Sequence, residues 1–101
     1  MLTTVIEEGL RLYHVGAPDA AAEQYRQAIR TVSSASQSAQ RSGRMRVVTA
    51  GLYNDLASCL SAMWRVAEAE EAFRLALSIA PPQTSSRLHN NLSSLYRDTQ
   101  R

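Results

Sequence analysis

Residues 53–81 constrain the fold more tightly than any other stretch. Tyr53, Leu56, Ala57 and Leu60 fall at i, i+3, i+4 and i+7, which is one face of an α-helix. Ala69, Phe73 and Ala76 keep that spacing on a second helix, after a polar break around Arg65. Pro81 and Pro82 stop the second helix, because a proline ring lacks the N–H donor and clashes with the preceding turn. Two apolar stripes joined by a short turn bury themselves against each other as a helical hairpin. Ala57, Ala69 and Ala76 let the backbones approach closely, and Phe73 fills the space between them.

The rest of the chain follows this unit. Ala21, Tyr25 and Ala28 repeat the spacing of Ala69, Phe73 and Ala76. Ahead of them, Leu2, Val5, Gly9 and Leu12 share one face of a helix over 2–14, with Ile6, Leu10 and Tyr13 beside it. Gly16 suits the end of that helix and Pro18 the first turn of the next, where Asp19 and Glu23 meet the positive end of the dipole. The third helix is expected from about Arg44 to Ala62 and the fourth from about Val66 to Ile79. Early in the fourth, Glu68, Glu70 and Glu71 with Arg74 read as dipole and i,i+4 support rather than a carboxylate site. Beyond the prolines, Leu88, Leu92, Leu95 and Tyr96 form the stripe of a fifth helix, with Thr84 or Ser85 as its N-cap. With glycine and proline few in 101 residues, the expectation is one all-α domain of about five antiparallel helices.

In order and spacing these residues resemble the tetratricopeptide repeat, W-x2-L-G-x2-Y, then A-x3-F, then P, over about 34 residues. Tyr53 takes the Trp place, Leu56-Ala57 the Leu-Gly pair and Leu60 the Tyr, while Ala69, Phe73 and Pro81 match outright. In the first repeat Gly9 and Leu12 fall at the Gly and Tyr, with Val5, Glu8 and Ser33 departing from the Trp, Leu and Pro. His89, Leu92, Ser93 and Tyr96 fit the first helix of a third repeat, and Leu88-His89-Asn90-Asn91-Leu92 is similar to the longer repeats of kinesin-light-chain type. The resemblance implies a short right-handed α-solenoid. Repeat 1 would cover about 2–33 and repeat 2 about 50–83. Residues 84–101 would be a half repeat or a capping helix.

Ala21 and Ala69 are 48 positions apart, more than one repeat needs. The surplus lies at 34–49, either as a Ser- and Gln-rich loop or as extensions of the flanking helices. Ile29, Val32, Ala35 or Ser36, and Ala39 continue the second stripe, and Met45, Val48 and Leu52 start the third early. The favoured reading is an extended helical hairpin around residues 30–49, reversing at Ser42-Gly43. It would add roughly two turns, about 10 Å, to each helix.

No nucleophile motif, Gly-rich phosphate loop or metal-ligand spacing occurs, so neither an enzyme nor a cofactor is expected. His14 and His89 lack acidic partners and read as surface or helix-end residues. Cys59 is the only cysteine, which excludes an internal disulfide and suits a small core residue. No apolar run is long enough to cross a bilayer, and the acidic Glu7-Glu8 start does not read as a targeting peptide. An intracellular, cytoplasmic protein is expected.

The family resemblance implies a concave face lined by the first helix of each repeat. By position, its candidates are Thr3, Ile6, Leu10, Tyr13 and His14; Asn54, Ser58, Ser61 and Ala62; and Arg87, Asn90, Ser94 and Arg97. Asn54 and Asn90 fall at matching places, and an amide there can pair with the backbone of an extended peptide. Ile6, Leu10, Asn90 and Ser94 stand where chaperone-binding members hold a carboxylate with basic and Asn residues, which argues against that clamp. All eleven basic residues are arginine, nearly balanced by nine acidic ones. Arg41, Arg44 and Arg46 cluster in a stretch free of acidic residues from Gln24 to Asn54. No aromatic interleaves them as a base-stacking surface would want, so a solvated helix tip is favoured over RNA binding. The leading reading is a non-catalytic protein or peptide binder. Self-association through the fifth helix or open ends is the alternative, and an RNA-binding repeat the third.

Overall fold

The computed structural model of the chain describes residues 2–33 and 43–99, with side chains at 4–32, 46–82 and 84–98. Five helices occupy them: α1 (Leu2–His14), α2 (Pro18–Ser33), α3 (Gly43–Ala62), α4 (Val66–Ile79) and α5 (Pro82–Thr99). No strand occurs among the described residues. Each helix packs on the next in sequence, and α5 also touches α3. The molecule measures 44 × 29 × 18 Å.

The core is built from the residues whose spacing set the helices. Ala21, Ala28, Ala57, Ala69 and Ala76 are fully buried, and Leu56 and Phe73 lie in the core with them. Helices α1 and α2 approach closely at Gly9. A methyl group added at Gly9 would stand 3.0 Å from the ring of Tyr25, tighter than an ordinary contact, so glycine lets that ring rest against α1 without shifting. Leu88 and Leu95 bury the inner face of α5, with Leu92 packed against the core.

The turns after α1 and α3 are built alike, 48 positions apart. After α1, Gly16 N–H donates to the Tyr13 carbonyl (3.2 Å) and Ala17 N–H to the Leu12 carbonyl (2.9 Å). After α3, Trp64 N–H donates to the Ser61 carbonyl (3.0 Å) and Arg65 N–H to the Leu60 carbonyl (2.9 Å). Both are Schellman motifs, which need a left-handed residue just past the helix. Gly16 adopts φ +84° without cost, whereas Trp64 adopts φ +60° against its own Cβ and leaves its side chain exposed.

Between α4 and α5 the structure departs from the expected cap. Ala80 is extended, as the residue before a proline must be, and Pro82 is the first residue of α5, where a missing N–H costs nothing. Thr84 and Ser85 therefore lie inside the first turn, and both hydroxyls donate to the Pro81 carbonyl (3.0 and 3.2 Å). Of the expected hairpin around 30–49, α3 does begin at Gly43, with Ala50 and Leu52 buried and Val48 packed on the core. The continuation of α2 past Ser33, the reversal at Ser42 and the side chains of Arg41, Arg44 and Met45 lie outside the described residues.

Candidate functional site

The helices α1, α3 and α5 contribute to one groove. A recess of about 140 Å³ lies among Leu10, Tyr13 and His14 of α1, Tyr25 of α2, and Asp55 and Ser58 of α3. A second cavity of about 270 Å³ adjoins it, bounded by Tyr13, Ser58, Ser61, Phe73 and the α5 residues Asn91, Ser94, Leu95 and Asp98. A third, of about 260 Å³, runs between Asn54 and Asp55 of α3 and Thr84, Arg87 and Leu88 of α5. Tyr13 and Ser58 border the first two, and Asp55 the first and third, so the three lie side by side. Residue numbers rise together along the facing walls of α3 and α5, so these two helices run in the same direction.

Of the residues singled out from sequence, Leu10, Tyr13, His14, Asn54, Ser58, Ser61, Arg87 and Ser94 line this groove. Ile6 packs against the core instead. Asn90 and Arg97 are exposed outside these cavities, and the Arg97 guanidinium donates to Ser94 Oγ (3.1 Å). The correction is a small rotation of α5. Burial of Leu88 and Leu95 turns Arg87, Asn91, Ser94 and Asp98 to the groove, at i, i+4, i+7 and i+11. The expected set stepped by i+3 where the helix steps by i+4. The Leu88–Leu95 spacing was the signal that could have decided between them.

Asn54 is also not a free recognition amide. It is buried, and its Oδ1 accepts a 2.7 Å hydrogen bond from Asn91 Nδ2. Its own amide hydrogen-bonds Asp55. A polar chain thus runs from α5 through Asn54 to the half-buried Asp55 carboxyl. Burial raises that carboxyl above the ordinary carboxylate range, opposed by the attraction of Arg87 and by the hydrogen bond from Asn54.

Comparison with known proteins finds no matching family model, no matching curated sequence and no matching solved structure. The site is therefore read from its own chemistry. Tyr25 has its phenol raised well above the usual range by burial and by Asp55. Cys59 is buried, and burial pushes its thiol up to about 11, so it is a neutral core group rather than a nucleophile. Among the described residues no set of three His, Cys, Asp or Glu side chains converges to hold a metal ion. None of the described helices is long and apolar enough to cross a membrane.

Two further surfaces lie outside the groove. Arg46, of the basic cluster, donates from Nε to the Ile79 carbonyl (3.1 Å) and so closes the end of α4. A cleft of about 370 Å³ runs between α2 and α4 across α3. It is walled mainly by Tyr53, Leu56, Leu60, Ala72 and Leu75, with Arg26, Glu68 and Glu71 at its edge.

Proposed function

We propose that this chain is a non-catalytic binding module of tetratricopeptide-like repeats: two repeats and a half, stacked as a short right-handed α-solenoid. Its groove between α1, α3 and α5 takes a segment of a partner protein. The observation that carries this reading is the groove itself. Three helices, each the first of its hairpin or the cap, present hydroxyls, amides and a tyrosine along a row of adjoining cavities. The repeated Schellman turns support a repeat, and a molecule 18 Å thick suits two layers of helices, each about 10 Å across. The Asn91–Asn54 bond holds α5 on α3, so the groove is preformed and binding need not order it.

Selection of a randomised displayed-peptide library on the folded chain tests this. Peptides that bind should lose at least tenfold in affinity to Ser61→Arg, which fills the groove, and keep it with Ala67→Arg, on the α2–α4 side. A library that yields no Ser61→Arg-sensitive binder overturns the reading. Self-assembly is the second reading, and it draws on the apolar cleft at Leu56, Leu60 and Leu75. A concentration-dependent sedimentation coefficient that Leu75→Glu abolishes would favour it over the groove.

A further inference from the structure

Asp55 stands where two parts of the groove meet, and its surroundings are unusual for this chain. The recess at its side is walled by the rings of Tyr13 and Tyr25, the imidazole of His14 and the hydroxyl of Ser58, with no guanidinium among them. Tyr13 and Asp55 lie close enough to Tyr25 that both add to the shift of its phenol. The Tyr13 and His14 rings meet edge to face, with centroids 6.0 Å apart. The Asp55 carboxylate and the Ser58 hydroxyl oxygen can accept from a cationic group, and an aromatic ring beside them can receive it on a face.

The distribution of charge points the same way. On the outer surface, Glu8, Glu23, Glu68 and Glu70 are paired with arginines, and Glu7, Asp19 and Glu71, which have no ion pair among the described residues, are exposed to water. The two groove carboxylates, Asp55 and Asp98, have no arginine within ion-pairing distance among the described residues; Arg87 reaches Asp55 only as a longer-range attraction from the far side. A half-buried carboxylate without a close cation costs stability, and asparagine would fill the same volume without that cost. The cost is offset when a cation arrives.

We infer that the recess at Tyr13, Tyr25 and Asp55 takes the guanidinium or ammonium head of an arginine or lysine on the partner segment, with Asp55 as its counter-charge. This rests on the groove being the binding surface, and it names the partner chemistry: a basic peptide, with Asp98 placed to meet a second basic residue further along. At about 140 Å³ the recess is sized for one head group and part of its aliphatic stem.

The test uses short acetylated and amidated peptides, each a glycine–serine frame with one central residue: arginine, lysine, citrulline or glutamate. They are titrated into the isotope-labelled chain and followed by amide chemical shifts. Arginine and lysine peptides should shift Tyr13, Tyr25, Asp55 and Ser58 saturably. Citrulline, which keeps the shape of arginine without its charge, should bind at least tenfold more weakly. Asp55→Asn should cost at least tenfold, Tyr13→Ala several-fold, and Glu23→Gln on the outer face of α2 nothing. Far-UV circular dichroism checks that each variant is folded, and the half-exposed Tyr13 gives a variant that does not disturb the core. Equal binding of arginine and citrulline, indifference to Asp55→Asn, or shifts confined to the glutamates of α4 overturn the inference. So does self-association that Asp55→Asn abolishes, since the occupant is then an arginine of a second copy. If library peptides sensitive to Ser61→Arg carry no basic residue, the groove stands and only this inference falls.

Discussion

At Gly9 the helix tolerates a residue that weakens it, because the Tyr25 ring occupies the space a side chain would need. Gly9→Ala gains about 1 kcal/mol of helix propensity, but overpacking a fully buried ring costs about 1–3 kcal/mol. The expected outcome is a net loss near 1 kcal/mol and a melting midpoint lower by about 4–8 °C in thermal denaturation. Asp55 works in the opposite sense. Its carboxyl is raised in the folded chain, so the folded state holds its proton more tightly than the unfolded one. Stability from this group is therefore present at acid pH and is lost as pH rises through the raised value. Asp55→Asn should raise the melting midpoint at neutral pH. That gain should shrink toward zero as pH falls below about 4, where both states are protonated. A gain that stays constant with pH would show that burial of the charge is not its cause.

The turns after α1 and α3 each hang on one left-handed residue that can be changed on its own. After α3, Trp64 occupies the left-handed position that Gly16 fills after α1. Trp64→Gly removes about 1–2 kcal/mol of backbone strain, offset in part by the freer unfolded chain. The expected result is a urea midpoint higher by an amount equivalent to about 0.5–1 kcal/mol, read by far-UV circular dichroism because the only tryptophan is gone. The contact of α5 with α3 is held in part by one side-chain pair. Asn91→Ala leaves the buried Asn54 oxygen without its donor, a cost of about 1–3 kcal/mol. In a double-mutant cycle with Asn54→Ala the two losses should fall short of additive, and full additivity would mean that the 2.7 Å bond contributes nothing.

For the molecule as a whole, α5 covers the face that α3 and α4 leave open, over Ala76 and Ala80. A chain ending at Pro81 uncovers that face and removes one wall of the groove. It should melt at a lower temperature, bind groove peptides at least tenfold more weakly, and associate in sedimentation as its new apolar face seeks cover. A truncated chain with unchanged melting would mean that α5 is an appendage rather than a cap.

Local chemistry determined which stretches are helical. The i, i+3, i+4, i+7 stripes placed all five elements, and their alanines, Leu56 and Phe73 are the core. The all-helical class was legible because apolar periodicity and proline act over a few residues, without reference to the rest of the chain. The rotation of α5 was carried by the Leu88–Leu95 spacing, since Asn91 stands at i+3 and i−4 from those buried leucines and Asn90 does not. Asn54 and Asp55, adjacent in sequence and both polar, had no such signal. Tertiary structure alone tied one to α5 and left the other half-buried beside the rings of Tyr13 and Tyr25, because burial and partners are set by elements distant along the chain.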